Sequence, residues 1–562
     1  MAFGLLWLGA LALALIGLDG PPLRDWDEGI VARVALELSQ RPWLERLWPT
    51  YWGDPYLNKP PGLHWLLAAV IDLWRALARP EAGALPPDGL LRLLPSLITS
   101  LLVPLLVLVQ LRLRPGQWLT ALCTGAITLT LLPIVRFGHL VMLDGCQLVA
   151  MVLLWWAVLG CGGPPRRLLL QALPVGLAAS ALLLLKAPTA VPVLGGTLLL
   201  RVLERDLSRR QLAWLLLGVL LGLLPGLAWH GGHALVRGGD ALQMWLGQGF
   251  GRVGEAIEGH GRDGVLTPLL QILQGGWPWL PLWPFALALA WGQRRSRGGY
   301  WCLGLTLLSS AIVLPLRTQL PWYSLLLWPA FALTCAPALA WLVQRPVSPR
   351  PAGPAALPVP FAATPTPAGA AVLIALPRFW SLLGLLLLAA GLLGPWFTPA
   401  AVDPALAPLR TLAPSLVLLG SAWLLGGWAL GSARAARRRR GLVVLVLGHG
   451  LALALLLASP LWLWELNESW PVGDGLALLQ RQQVLGAGQP LLLWRQGQRP
   501  SLNWYAGRQL HSVRRRQLPA AGTVWLLGRQ EAEAKGLSCR TLEQRGELRL
   551  QRCSLAPQSA AP

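Results

Sequence analysis

Charge is scarce in this sequence, lysine scarcer still, and each shortage narrows what the chain can be. Of 562 residues only 13% are charged while 54% are hydrophobic. The mean hydropathy of +0.53 is too high for soluble domains packed around ordinary cores. Acids number 25 against 47 basic residues, a net charge of +22. In a soluble protein that excess would point to nucleic acid, but here the arginines cluster between apolar runs, so no nucleic-acid partner is expected. Three of the basic residues are lysines, Lys59, Lys186 and Lys535. Arginine is the default cation, and a lysine therefore marks a position where the residue type matters.

Cysteine is sparse as well. None of the seven has metal-ligand spacing, so a divalent metal is the one cofactor to consider and no ligand spacing supports it. Cys123, Cys146, Cys161, Cys302 and Cys335 read as small fillers of apolar runs. Cys539 and Cys553 lie in the polar C-terminal segment, where an oxidising compartment would allow a disulfide and a reducing one would not. No nucleotide-binding glycine fingerprint precedes a helix, and no internal repeat is visible. The stretch 1–20 has neither a basic n-region nor a small-x-small cleavage site and reads as a retained first helix.

What is present is leucine-rich length. Runs such as "SLITSLLVPLLVLVQL" approach the roughly 20 apolar residues that cross hydrocarbon. Spans are expected near 3–19, 90–111, 117–134, 140–160, 168–185, 187–201, 211–229, 277–292, 299–315, 321–343, 372–395, 411–430 and 441–464, about thirteen in all. Alternate connections carry Arg112 and Arg114; Arg166 and Arg167; Arg201, Arg205, Arg209 and Arg210; Arg294, Arg295 and Arg297; Arg345 and Arg350; and Arg434 with Arg437 to Arg440. By the positive-inside rule these are cytoplasmic, as is the N-terminus, and the loops at 20–89, 135–139, 230–276, 316–320 and 396–410 lie outside. The expected fold is an all-α polytopic bundle over 1–464 in a bacterial inner (plasma) membrane. A cytoplasmic Pro/Ala-rich linker falls at 344–371. A small periplasmic α/β domain is expected at 465–562, where strand-like "PLLLWR", "TVWLLG" and "GELRLQRC" alternate with helical "GLALLQRQQ" and "EAEAKG".

Polar residues that could carry chemistry collect in the external loops. Asp25, Asp27 and Glu28 open an amphipathic helix with Ile30, Val34 and Leu38 on one face. Acids there complement a helix dipole, or one of them serves as a base. Lys59 precedes Pro60 and Pro61, which fix the backbone ahead of an aromatic-rich helix carrying His64. A cation at a helix N-terminus suits a lipid phosphate; the plainer alternative is a lysine snorkelling to the surface. Arg136 falls in a short external turn, and Asp144 lies about one turn into the next span, where an intramembrane acid is a functional candidate. Lys186 sits beside Pro188 at the external tip of two apolar runs. The 230–276 loop holds His230, Arg252, Glu255, Glu258, His260, Arg262 and Asp263 and by itself reads as a solvated loop. Tyr323 lies with Arg317 and Gln319 at the outer end of a span, where tyrosine also serves as a belt residue.

Taken in order, these segments resemble the protein O-mannosyltransferase and lipid A aminoarabinose transferase superfamily, which has the GT-C fold and uses polyprenyl-phosphate-linked sugars. Asp27-Glu28 resemble its acidic pair, Lys59-Pro60-Pro61 its K-P-P element, Asp144 its acid after a short turn, "LLLKAPTAVPV" its lysine-plus-proline segment, and "LPWYSLLLWPAFAL" its Tyr323-bearing segment. "PSLNWYAGR" resembles a recurring strand-turn of the C-terminal domain in the aminoarabinose transferase branch. Ile30 stands where many relatives have arginine, and Asn58 where some carry an acid. The resemblance implies a glycosyltransferase that moves a hexosyl or pentosyl group from a polyprenyl-phosphate sugar donor to a lipid, glycan or protein acceptor, with inversion. It implies catalytic roles for Asp27, Glu28 and Asp144, carrier-phosphate binding by Lys59, Arg252 and Lys186, and substrate contacts from Tyr323, Arg136 and His64. A monomer surrounded by membrane lipids is expected. The competing reading, a transporter or flippase of lipid-linked glycans, calls for midplane sites and repeat symmetry.

Overall fold

The computed structural model describes residues 2–255, 266–345, 367–397, 407–463, 470–485, 490–514, 517–518, 522–533 and 537–555. Residues 346–366 of the linker expected at 344–371, the loop residues Glu258, His260, Arg262 and Asp263, and Lys535 lie outside the described residues; at the linker's ends Gln344 and residues 367–371 are helical, not connector.

Apolar runs become helices because a helix satisfies its own backbone where no water is available. In chain order they are α1 (Ala2–Ala14), α2 (Asp27–Ser39), α3 (Gly62–Ala78), α4 (Asp88–Ser100), α5 (Leu102–Leu113), α6 (Trp118–Leu129), α7 (Leu132–Gly138), α8 (Leu143–Leu159), α9 (Pro165–Leu203) and α10 (Arg209–Arg237). After the short α11 (Gln243–Trp245) and α12 (Gly251–Gly254) come α13 (Leu266–Gly275), α14 (Trp283–Gly292), α15 (Arg297–Val313), α16 (Trp328–Gln344), α17 (Pro367–Phe397), α18 (Ala407–Leu430) and α19 (Ala435–Ala458). Among the described residues, seven helices are long and apolar enough to cross a membrane, or eight if α6 and α7, bent by 56°, form one span. Residues Ala2–Ala14, Leu143–Leu159 and Leu280–Gly292 make shorter apolar helices. The expected count of thirteen is not confirmed.

Part of the shortfall lies in α9, a single run of 39 residues where the sequence predicts two spans. Its backbone breaks at Lys186 (φ −151°, ψ 79°), and its halves double back. The Cys161 thiol lies 3.5 Å from the Gln171 carbonyl in the first half, while the Cys161 carbonyl accepts from Arg201 Nη2 at 3.1 Å. A straight helix would separate residues 171 and 201 by about 45 Å at the usual rise. Lys186 is thus the apex of a helical hairpin. The first arm packs on α10 through glycine: a Cβ on Gly222 would come within 2.3 Å of the Leu173 carbonyl oxygen, a close approach that small residues permit in membranes.

The arginine-rich connections meet at one end of the bundle. Arg297 donates to the Leu159 carbonyl at 2.9 Å and pairs with Glu204 at 3.0 Å. Arg114 reaches Gln293 at 3.3 Å, Gln211 reaches the Gly163 carbonyl at 2.9 Å, and Arg438 reaches that of Val343 at 2.9 Å. The apex of α9 lies at the opposite end.

At that opposite end Ile30, Val34 and Leu38 of α2 form a buried cluster with Tyr56 and Ala68, the face that the helical period predicts. A two-stranded hairpin, β1 (Thr50–Tyr51) and β2 (Asp54–Pro55), follows. Its turn residues Trp52 (φ 55°) and Gly53 (φ 88°) both take the positive φ of a type I′ turn. Glu37 anchors this hairpin by accepting from the Trp52 N–H at 2.7 Å and Thr50 Oγ1 at 2.6 Å. The region expected as a solvated loop at 230–276 is largely helical among its described residues. Arg136 belongs to α7 rather than to a turn.

The C-terminal segment holds α20 (Val472–Arg481), β3 (Leu491–Trp494), α21 (Pro500–Ala506), β4 (Ser512–Val513), β5 (Gly522–Gly528), β6 (Leu537–Arg545) and β7 (Leu548–Leu555). The sheet order is β4-β3-β5-β7-β6, parallel around β3 and antiparallel around β7. Cys539 and Cys553, paired across β6 and β7, form a disulfide. Two expectations are corrected. "PSLNWYAGR" is a helix, α21, closed by Gly507 at φ 63°, because proline opens it and a left-handed glycine ends it. The described part of "EAEAKG", residues 531–533, is not helical.

Candidate functional site

A cavity of about 460 Å³ opens at the end of the bundle that carries the α9 apex. Its body is apolar, built in part from Val191 and Pro192 of the returning arm of α9 and from Leu308, Ala311 and Ile312 of α15. Its polar lining includes Lys59, Asp144, Lys186, Arg252 and Tyr323, five side chains from five distant stretches of sequence. Three of them are cations.

Local rules explain how each is held. Pro60 and Pro61 stop the backbone of the Lys59 segment from turning helical before Gly62 begins α3. Gly62 lies so close to the α9 apex that a Cβ there would sit 2.6 Å from the Leu184 carbonyl oxygen. That contact brings the Lys59 segment onto the Lys186 turn. Within the turn, Thr189 Oγ1 donates to the Lys186 carbonyl at 2.8 Å and accepts from Gln147 Nε2 at 2.8 Å, which satisfies polar groups exposed by the break.

Asp144, in the first turn of α8, accepts from Lys186 Nζ at 2.7 Å. The same ammonium lies 4.9 Å from the Tyr323 ring centroid, within cation–π range. Arg252 Nη1 donates to Tyr323 Oη at 2.8 Å. The Arg252 carbonyl accepts from the Arg317 and Thr318 N–H groups, each at 3.1 Å, which ties α12 to the segment before Tyr323. Burial pushes the Lys59 ammonium below the ordinary lysine pKa; Asp27 and Asp144 oppose that shift, while Lys186 and Arg252 reinforce it. Lys59 thus feels both acids and both other cations.

The remaining expected residues separate into near and remote. Asp27 opens α2, is half-buried, and does not line the cavity. Its carboxylate accepts no hydrogen bond from a described residue, and its charge acts on both Lys59 and Tyr56. Glu28 is fully buried and spoken for: it accepts from Arg92 Nε at 3.0 Å and Nη2 at 2.8 Å, from the Arg24 N–H at 2.6 Å and from the Val141 N–H at 2.8 Å. This geometry suits an anchor rather than an acid or base, because no lone pair remains for a substrate proton. His64 is buried behind the Lys59 segment with its ring 5.4 Å from that of Tyr56. Burial pushes its imidazole down to about 3. Arg136 is buried with its guanidinium 4.8 Å from the Phe137 ring. Neither lines the cavity.

Sequence reasoning missed Arg92, which also donates to the carbonyls of Leu18, Pro21 and Pro22. It lies inside an expected span, so the rule that marks Asp144 marks it too. Gln147 and Thr189 carried no comparable signal. No group of three or more His, Cys, Asp or Glu side chains suited to a metal ion occurs among the described residues.

No family model matches the sequence, and no curated protein matches it at sequence level. The fold is nonetheless shared. ArnT from Cupriavidus metallidurans in the apo state superposes with a TM-score of 0.70 at 16% identity, over 98% of this chain and 97% of that one. The same protein bound to undecaprenyl phosphate gives 0.70 at 17% identity, over 100% and 99%. The likeness shows an ArnT-like GT-C fold.

Proposed function

We propose that this protein is a membrane glycosyltransferase that moves a sugar from a polyprenyl-phosphate carrier to an acceptor on the non-cytoplasmic face. The observation that carries the reading is the cluster of Lys59, Lys186 and Arg252 at the head of an apolar cavity. Such a cavity fits an amphiphile with an anionic head and a long hydrocarbon tail. The similarly folded ArnT binds undecaprenyl phosphate, which supports a polyprenyl phosphate as the carrier here.

In the reaction, Lys59 and Arg252 hold the carrier phosphate, and Tyr323 offers its hydroxyl beside Arg252. Asp144 holds the Lys186 side chain in place at the α9 apex. The acceptor oxygen bonds to the anomeric carbon from the face opposite the phosphate, with inversion. The bond from that carbon to the carrier oxygen breaks, and its electron pair stays on the departing phosphate. A cation about 4 Å from that charge contributes on the order of 4 kcal/mol at an effective dielectric near 20. With a hydroxyl acceptor, Asp27 takes the proton; a phosphate acceptor is already anionic, and Asp27 then orients it. Glu28 and Arg92 anchor the loop that carries Asp27.

The disulfide between Cys539 and Cys553 supports an oxidising location for the C-terminal domain. The gathering of arginine-rich connections at the other end supports a cytoplasmic location there. The test is purified, reconstituted protein offered a panel of polyprenyl-phosphate sugars, with release of polyprenyl phosphate measured. Release is expected from the wild type with at least one donor, and a fall of about a hundredfold in Asp27→Asn and Lys59→Ala. Wild-type rates in both variants would refute these roles.

A further inference from the structure

Asp27 is tied to the C-terminal domain on both sides. Before it, the Leu23 N–H donates to Tyr505 Oη at 2.7 Å, the Arg24 carbonyl accepts from Ser501 Oγ at 2.5 Å, and Asp25 Oδ2 pairs with Arg499 Nη1 at 3.0 Å. After it, Gly29 lies against the backbone of α21, so that a Cβ there would come within 2.4 Å of the Ser501 nitrogen. Tyr505 also hydrogen-bonds Asp88 at the start of α4, and Arg499 stacks 5.2 Å from the Trp470 ring.

Between these ties, Trp26 holds a φ of 71°. A bulky residue keeps such a positive φ only where its surroundings over-determine it. Asp25 is buried, with only 6% of its surface exposed, so its partner on the C-terminal domain cannot be exchanged cheaply for water. None of Arg499, Ser501 and Tyr505 lines the cavity. Their contacts go to the backbone and side chains flanking Asp27, not to the cations at the cavity head.

Resting on the glycosyl-transfer reading, we propose that Arg499, Ser501 and Tyr505 are positioning residues that fix Asp27 towards the acceptor, so that the C-terminal domain sets turnover without holding the carrier. The motif around α21 is then a clamp on the reactive loop, and the domain is part of the enzyme's working geometry.

The test compares full-length wild type, Arg499→Ala, Arg499→Lys, Ser501→Ala, Asp25→Asn and the double variant Asp25→Asn/Arg499→Ala in proteoliposomes. In Arg499→Ala, kcat is expected to fall about tenfold or more, as displaced reacting groups do. The KM for the donor and the binding of polyprenyl phosphate stay at wild-type values. Arg499→Lys recovers most of the turnover, Ser501→Ala shows a smaller loss of the same kind, and the double variant is no worse than the worse single, because the two groups act as one pair. Amide exchange across 26–32 rises in Arg499→Ala, while exchange in α8 does not.

Wild-type kcat in Arg499→Ala, losses that multiply in the double variant, or weakened carrier binding would each overturn the positioning role. If the wild type consumes no donor, the transfer reading fails and the positioning role with it. If the wild type is active and Arg499→Ala equally so, the positioning role alone fails.

Discussion

Lys59 stands at the head of the cavity with Lys186 and Arg252 beside it. It is one of only three lysines, it precedes two prolines, and it lines the cavity. Its neighbours Lys186 and Arg252 come from remote segments that spacing does not join; the resemblance implies one phosphate for all three, and the fold places them in one cavity. The burial that lowers its pKa gives a pH prediction with a definite sign. Binding of a phosphate by Lys59 needs the ammonium, so affinity is complete well below the folded pKa and is lost as pH rises through it. Polyprenyl-phosphate affinity measured against pH should therefore start to fall below the ordinary lysine value of about 10.4. In Lys59→Arg the guanidinium stays charged, and affinity should remain flat over the same interval. A wild-type profile that is flat up to the ordinary value would count against a buried phosphate-binding lysine.

At the scale of elements, periodicity and proline were good guides, whereas long-range anchors were not. The face formed by Ile30, Val34 and Leu38 is buried as a unit, as helical spacing requires. Pro188 and the two apolar runs at 168–185 and 187–201 already mark the reversal at Lys186, and the backbone breaks there. Glu28 looked like half of a catalytic pair because its partner, Arg92, is 64 residues away in sequence. Spacing alone cannot show a salt bridge of that kind. The 230–276 region looked like solvated loop because its helical turns are short, and short turns leave little periodic signal.

The contact between α3 and the α9 apex yields a prediction at this scale. Gly62 has no room for a side chain against Leu184, so Gly62→Val should push the Lys59 segment off the Lys186 turn. The backbone φ there is ordinary, and the damage should be local. Carrier affinity is expected to fall about tenfold or more while the melting temperature changes little, since α3 keeps its other packing. Gly62→Ala should give a smaller loss. Unchanged carrier affinity in both variants would mean that Lys59 reaches the phosphate independently of this contact.

At the scale of the whole molecule, the chain separates two kinds of positive charge. The arginines of the alternate connections, among them Arg114, Arg297 and Arg438, gather at one end, and the cations of the cavity head gather at the other. The first set is legible in the sequence, because alternating arginine-rich connections need only a count; the second is legible only through the resemblance, since no spacing rule joins residues 59, 186 and 252. Helix ends blurred the span count, since α9 reads as one long helix although its arms reverse. The orientation proposed here has a direct consequence for chemical access. A cysteine placed at Ser208, in the arginine-rich connection before α10, should react with a membrane-impermeant maleimide only after the cells are permeabilised. A cysteine placed at Gly497, in the C-terminal domain beside Arg499, should react in cells with an intact inner membrane once the outer barrier is opened. The native free cysteines, all buried, supply a low background, and the disulfide removes Cys539 and Cys553 from reaction unless a reductant is added. Labelling in the reverse pattern would put the cavity head, Asp27 and the clamp on the cytoplasmic side, where a polyprenyl-phosphate sugar flipped outward could not reach them.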